Sequence, residues 1–215
     1  GASEPHSCIG GLAGRINGAR TEDGEHILFD GLISSSNYKG NIVARGEDRV
    51  VNLGGIIGKA DYTLISDCRV MDSFDTETYQ TSPSEFKISL ASNNNIGGIV
   101  ARQTNSTVSN CSTNINIIDD EFDTEHDSKT PTNYIGGISG EMENSGNIAD
   151  FDIYQSYSKL NIDLTYINQL YIGGIVAKQN EKARIDSVVS ELTIQGFGVA
   201  TSAIAGLPNR VVVGG

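Results

Sequence analysis

Tryptophan is absent and methionine occurs only twice in 215 residues, and apolar residues make up 38% of the chain. That supply is low for a compact enzyme, although the length suffices for a substantial core within one domain spanning 1–215. Positive charge is also scarce: 15 Lys and Arg stand against 27 Asp and Glu, a net charge of −12. Phosphate backbones and anionic lipid surfaces both need a basic face, so neither nucleic acid nor a membrane surface is an expected partner. No run of 18 apolar residues occurs, so no bilayer insertion is expected within this stretch. No signal peptide is recognisable, and the chain, opening on Gly1-Ala2, reads as a segment of a longer polypeptide. Three cysteines, Cys8, Cys68 and Cys111, are an odd number and form no disulfide framework.

What is abundant is glycine, 25 residues, and it is periodic. A Gly-Gly doublet between apolar residues recurs at Gly10-Gly11, Gly54-Gly55, Gly97-Gly98, Gly136-Gly137 and Gly173-Gly174. The starts lie 44, 43, 39 and 37 residues apart, and Ser202 to Gly206 reads as a worn sixth copy 29 residues on. Self-similarity at that period is the mark of a stacked array. The doublets are read as structural, through a bend, a positive φ or a close approach of neighbouring backbone. They are not phosphate-binding glycines, because the phrase is not G-x-G-x-x-G and no helical pattern follows it.

Each phrase is followed by a polar turn and a second strand, with Ile65-Ser66-Asp67-Cys68 at the same offset as Val108-Ser109-Asn110-Cys111. A third strand alternates: Phe86, Ile88 and Leu90 around Lys87 and Ser89, and Leu160, Ile162 and Leu164 around Asn161 and Asp163. Period two is the signature of a strand with one buried face. The expected fold is therefore all-β: a right-handed parallel β-solenoid of about five to six three-strand coils with irregular loop insertions. Its coils start near 9, 53, 96, 135 and 172, with a degenerate one near 202. Two ladders follow from stacking. One runs through Leu12, Ile56, Ile99, Ile138 and Ile175, and the other through Leu32, Cys68, Cys111, Ser156 and Val188. Stacked Cα atoms about 4.8 Å apart lie within disulfide reach. The expected reading of Cys68 and Cys111 is two reduced cysteines acting as small buried apolar residues, although the sequence leaves their pairing open.

The phrase Asn95-Ile96-Gly97-Gly98-Ile99-Val100-Ala101 with Val108-Ser109-Asn110-Cys111, Asn52 to Gly58 with Ile65 to Cys68, and the step Gly40-Asn41-Ile42 resemble the GLUG-type glycine-rich repeat of bacterial surface proteins. The resemblance covers most of the chain as a scaffold. It implies secretion, display on a bacterial envelope and an adhesin-like or spacer role. Similar repeats accompany immunoglobulin A-cleaving metallopeptidases, whose catalytic centre would have to lie outside this stretch.

The chemistry-bearing candidates are few. An acidic insertion carries Asp72, Asp75 and Glu77, and its echo carries Asp120, Asp123 and Glu125. Both follow a Cys-bearing strand, so stacking is expected to place them on one side of adjacent coils. Clustered carboxylates can hold Ca²⁺, but EF-hand and calcium β-roll spacings are absent. Solvated acidic loops are the expectation, with a weak calcium site or a partner-binding loop as alternatives. No other cofactor is expected, and His6, His26 and His126 are too scattered for zinc. No H-E-x-x-H, G-x-S-x-G or P-loop occurs, and no Lys/Arg ladder accompanies the acids. Tyr134, Tyr154, Tyr157, Tyr166 and Tyr171 are expected to fill a widened fourth coil, with sugar stacking as the alternative. The expected function is thus a non-catalytic, monomeric, extracellular bacterial repeat module that presents loops to a host or cell-surface protein or glycan. The alternatives are a carbohydrate-active β-helix enzyme and an accessory domain of a secreted peptidase.

Overall fold

The computed structural model describes residues 6–18, 20–23, 26–29, 31–44, 50–75, 80–88, 93–119, 132–145, 152–164, 169–180, 182–195 and 210–214. These residues are all-β, with strands stacked into parallel sheets. Among them no helix is long and apolar enough to cross a membrane.

The chain visits four parallel sheets in the same order in each repeat. The first holds His6–Gly10, Val50–Gly54, Asn94–Gly97, Thr132–Gly136, Gln169–Gly173 and Arg210–Gly214. The second holds Ala13–Asn17, Ile57–Asp61, Val100–Thr104, Ser139–Glu143 and Val176–Gln179. The third holds Gly31–Ser34, Thr63–Ser66, Thr107–Ser109, Ile153–Tyr154 and Ile185–Asp186. In the fourth, Ser112–Asp119, Tyr157–Asp163 and Val189–Gln195 are continuous. Its first two rungs are split into Asn37–Tyr38 with Ile42–Ala44, and Arg69–Val70 with Ser84–Ile88. Two antiparallel hairpins are inserted, Arg20–Asp23 with His26–Phe29, and Ser73–Asp75 with Gln80–Ser82.

Each of the first five repeats therefore passes through four sheets, not three. The extra division lies inside the glycine phrase, where the second glycine and the next residue bend the chain from the first sheet into the second. Steric space, rather than dihedral freedom, requires both glycines. A Cβ on Gly97 would sit 1.9 Å from the Val100 carbonyl oxygen across its own bend. A Cβ on Gly98 would sit 2.1 Å from the Gly137 carbonyl oxygen of the next rung and 2.7 Å from Thr113 Cγ2 of the fourth sheet. The second glycine is thus where the fourth sheet closes onto the bend, and Thr113 Oγ1 donates to the Gly137 carbonyl there at 2.9 Å.

The interior is one cluster of aliphatic ladders. Leu53, Ile96 and Ile135 stack in register in the first sheet and are fully buried, as are Ile56, Ile99 and Ile138 at the bend. The amide of Leu12 donates to Ile56, Ile56 to Ile99, Ile99 to Ile138, and Ile138 to Ile175, so the expected bend ladder is present. Phe86, Ile117 and Ile162 stack on the fourth sheet, buried as the alternation requires. Each fully buried aliphatic side chain contributes about 1.5–3 kcal/mol.

The second expected ladder needs a correction. Cys68, Cys111, Ser156 and Val188 do stack, but Leu32 pairs with Leu64 and is exposed; Ser36 stands in the cysteine ladder instead. The hairpin at 20–29 displaces the count in the first repeat, and the true echo of Ile65-Ser66-Asp67-Cys68 is Ile33-Ser34-Ser35-Ser36. The stretch Ser202 to Gly206 lies outside the described residues. The sixth rung of the first sheet is Arg210–Gly214, with Gly214 opposite Gly173.

Candidate functional site

The corner between the third and fourth sheets is built by a repeated local device. Ser35, Asp67, Asn110, Gln155 and Ser187 all take left-handed backbone conformations, with φ between 49° and 55°. Asp and Asn tolerate that region better than other non-glycine residues, and two successive rungs use them. The next residue closes the corner with its side chain. Ser36 Oγ, Cys68 Sγ, Cys111 Sγ and Ser156 Oγ each donate to the carbonyl two residues back, at 2.9–3.2 Å. The same atoms also join rungs, since the Cys68 amide donates to Cys111 Sγ at 3.4 Å and the Cys111 amide to Ser156 Oγ at 3.2 Å.

Along this corner runs an open cleft of about 420 Å³, within the usual range for small-ligand sites. Asp67, Arg69, Asn110, Gln155 and Tyr157 form its polar rim, and Met71, Cys111 and Thr113 line it more deeply. Asn110 Nδ2 donates to Asp67 Oδ1, fixing the carboxylate. Burial, with Glu191 beside the ring, pushes the Tyr157 phenol above its ordinary value, so it remains a donor at neutral pH. A carboxylate, a guanidinium, two amides and a phenol around an open trough can bind hydroxyl-rich or peptide groups through directional hydrogen bonds.

Of the acidic insertions, the described residues include Asp72 and Asp75. Asp72 is exposed beside the cleft residue Met71, and Asp75 ends a hairpin strand. Glu77, Asp120, Asp123 and Glu125 lie outside the described residues. The register nonetheless separates the two segments. Val70, just before the first, pairs with Thr113, whereas the second starts after Asp119, which pairs with Ile88. Six residues of strand, roughly 20 Å at 3.3 Å each, lie between those departure points. The described residues that precede the two segments thus stand at different register positions of the fourth sheet. Among the described residues no three His, Cys, Asp or Glu side chains lie close enough to share a metal ion.

A charged ladder is present where none was expected. Arg15, Lys59, Arg102, Glu141 and Lys178 stand in one register column on the second sheet. All five lie five residues beyond the first glycine of a doublet, and that fixed offset was the readable signal. Arg102 bridges Glu141 at 3.2 Å and Glu143 at 3.1 Å, Lys178 bridges Glu141, and Arg15 and Lys59 share Asp61 at 3.3 and 3.5 Å. Glu141 is nearly buried, and two cations replace its water. Burial alone would lower the Lys178 pKa, but the hydrogen bond and charge of Glu141, with Tyr134 and Glu143, raise it overall. Tyr134 stacks on Tyr171 with centroids 5.1 Å apart, and Lys178 Nζ lies 5.0 Å from the Tyr134 ring. These charges and rings are spent on one another, so the ladder holds rungs together.

Buried amides add a further tie. Asn95 donates to Asn52 at 2.9 Å and Asn94 to Asn133 at 2.6 Å, both between rungs of the first sheet. Asp152 is buried, accepting from Asn144 at 3.0 Å and from the Arg184 amide at 2.8 Å, yet desolvation raises its pKa.

No protein-family model, curated protein or solved structure matches this chain.

Proposed function

We propose that the chain is a right-handed parallel β-solenoid of the GLUG type, acting as a non-catalytic binding module on the outside of a bacterial cell. It presents the corner cleft to the glycans or proteins of another surface. The observation that carries this reading is the contrast along one corner. The backbone repeats from rung to rung, whereas the residues it presents change: Ser35, Asp67, Asn110, Gln155, Ser187. Such a scaffold offers a fixed trough with side chains free to differ at each rung, which suits recognition of an extended, hydroxyl-rich chain. Among the described residues, the charged ones that line the cleft are one carboxylate and one guanidinium, Asp67 and Arg69. Glycan hydrolysis by acid and base uses two carboxylates, and cleavage by a carboxylate with basic residues needs Arg and Lys together, so the described lining supports binding.

The test is retention on an array of immobilised neutral and acidic glycans, with Arg69→Ala and Tyr157→Ala beside the wild type. Both side chains lie on the rim, so the variants should keep the wild-type melting temperature within a few degrees. Retention should fall at least tenfold in each. No retention of any glycan, or retention by both variants equal to that of the wild type, contradicts the glycan-binding reading.

A further inference from the structure

We propose that Cys68 and Cys111 form a modification site: a dithiol on adjacent rungs that a peroxide converts into a reversible disulfide. The register makes them direct neighbours, because Ser66 pairs with Ser109 and Arg69 with Ser112 on either side. The Cys68 amide donates to Cys111 Sγ, and the Ser112 amide to the Cys68 carbonyl at 2.9 Å. Equivalent rungs of parallel strands lie about 4.8 Å apart, inside the Cα range that a disulfide spans. Both side chains have the same orientation, each donating to the carbonyl two residues before it.

The corner itself does not require sulfur. Ser36 and Ser156 make the same bond in the flanking rungs. Two consecutive thiols at one corner therefore add reactivity to a position that a hydroxyl fills as well. Cys111 lines the open cleft and Cys68 is its fully buried neighbour on the adjacent rung, so a small oxidant enters by way of Cys111. The thiols are also unequal. Once Cys68 ionises it gives up its bond to Ser66 and accepts the Cys111 S–H in place of the Ser109 carbonyl; that bond lowers the Cys68 pKa to about 7 against burial, while the same bond and burial push Cys111 far up. A thiolate beside a thiol is the arrangement that two-step oxidation uses.

In the first step the Cys68 thiolate attacks one peroxide oxygen. An S–O bond forms, the O–O bond breaks, and hydroxide leaves and is protonated to water. In the second step Cys111 sulfur attacks the sulfenic sulfur of Cys68. The S–S bond forms, the S–O bond breaks, and the departing hydroxide takes the Cys111 proton and leaves as water. The two sulfurs together lose two electrons, and hydrogen peroxide becomes two waters. Closure ties together the rungs that carry Asp67 and Asn110 at the cleft rim.

The experiment treats the folded, fully reduced chain with a few equivalents of hydrogen peroxide, then alkylates it and measures intact mass. The wild type should lose two of its three alkylatable thiols together, with a mass loss of two hydrogens before alkylation, and dithiothreitol should restore all three. Cys8→Ser should behave in the same way, losing both of its thiols. Cys68→Ser and Cys111→Ser, which reproduce the side chain of neighbouring rungs and so should fold, should form no intramolecular disulfide. Oxygen added to the wild type without an S–S link, a disulfide that includes Cys8 or a second chain, or thiols that stay reduced would each overturn the proposal.

Discussion

At the scale of the residue, the doublet glycines and a buried carboxylate have opposite demands. Gly98 has backbone from the next rung where its Cβ would go, and backbone cannot move aside as a side-chain tip can. Gly98→Ala should cost more than about 3 kcal/mol, the upper end of ordinary overpacking. Exposed Asp72→Ala should stay within roughly 0.5 kcal/mol. Urea unfolding of the two variants measures the difference, and equal costs would remove the steric account of the doublet. Asp152 instead burdens the fold with a charge. Its folded pKa lies above its ordinary value near 3.8 because desolvation outweighs the bonds from Asn144 and Arg184. Just above that pH the folded state holds the proton more often than the unfolded state, so this group's contribution falls as pH rises through the window. Above the folded pKa it is flat. Denaturant titrations between pH 3.5 and 6 should show that downward contribution in the wild type and its loss in Asp152→Asn. An unchanged slope in the variant would show that the carboxylate ionises in the folded state as freely as in the unfolded chain.

At the scale of the element, the fourth sheet distinguishes scaffold from insertion. Val70 pairs with Thr113 and Ser84 with Ile115, so one residue, Met71, suffices to bridge the register where the chain spends thirteen. Removing residues 72–83 should leave Arg69-Val70-Met71-Ser84 running as one continuous strand against Ser112–Asp119, with a melting temperature within a few degrees of the wild type. Collapse of the fold on that deletion would mean that the hairpin is part of the stack. This sheet also marks where the sequence was readable. Alternation around Phe86 and Leu160 showed both the strand and its buried face, because one face meets the core and the other water. The glycine phrase hid its bend, because residues on both sides of it are buried and no alternation survives; three strands per repeat were read where four exist. Leu32 was misplaced because an insertion shifted the count. The two acidic segments are alike in wording, but Val70 and Asp119, the described strand residues before them, stand six register positions apart. The cleft was not legible at all, since it depends on left-handed corners that five different residue pairs build.

At the scale of the whole molecule, the doublets behave as rungs. Gly10, Gly54, Gly97, Gly136, Gly173 and Gly214 follow one another through the first sheet in sequence order, each strand parallel to the next. The last of them lies in Val213-Gly214-Gly215, 41 residues beyond Gly173 and within the period of the others. Every other inference rests on this in-register parallel stack, from the corner cleft to the neighbouring thiols. The most direct measurement is a set of amide nuclear Overhauser contacts across the bend ladder in solution. The account predicts that Ile99 is close to both Ile56 and Ile138, and that Ile56 and Ile138 are not close to each other. Contacts that pair these residues antiparallel, or that join Ile56 directly to Ile138, would contradict it.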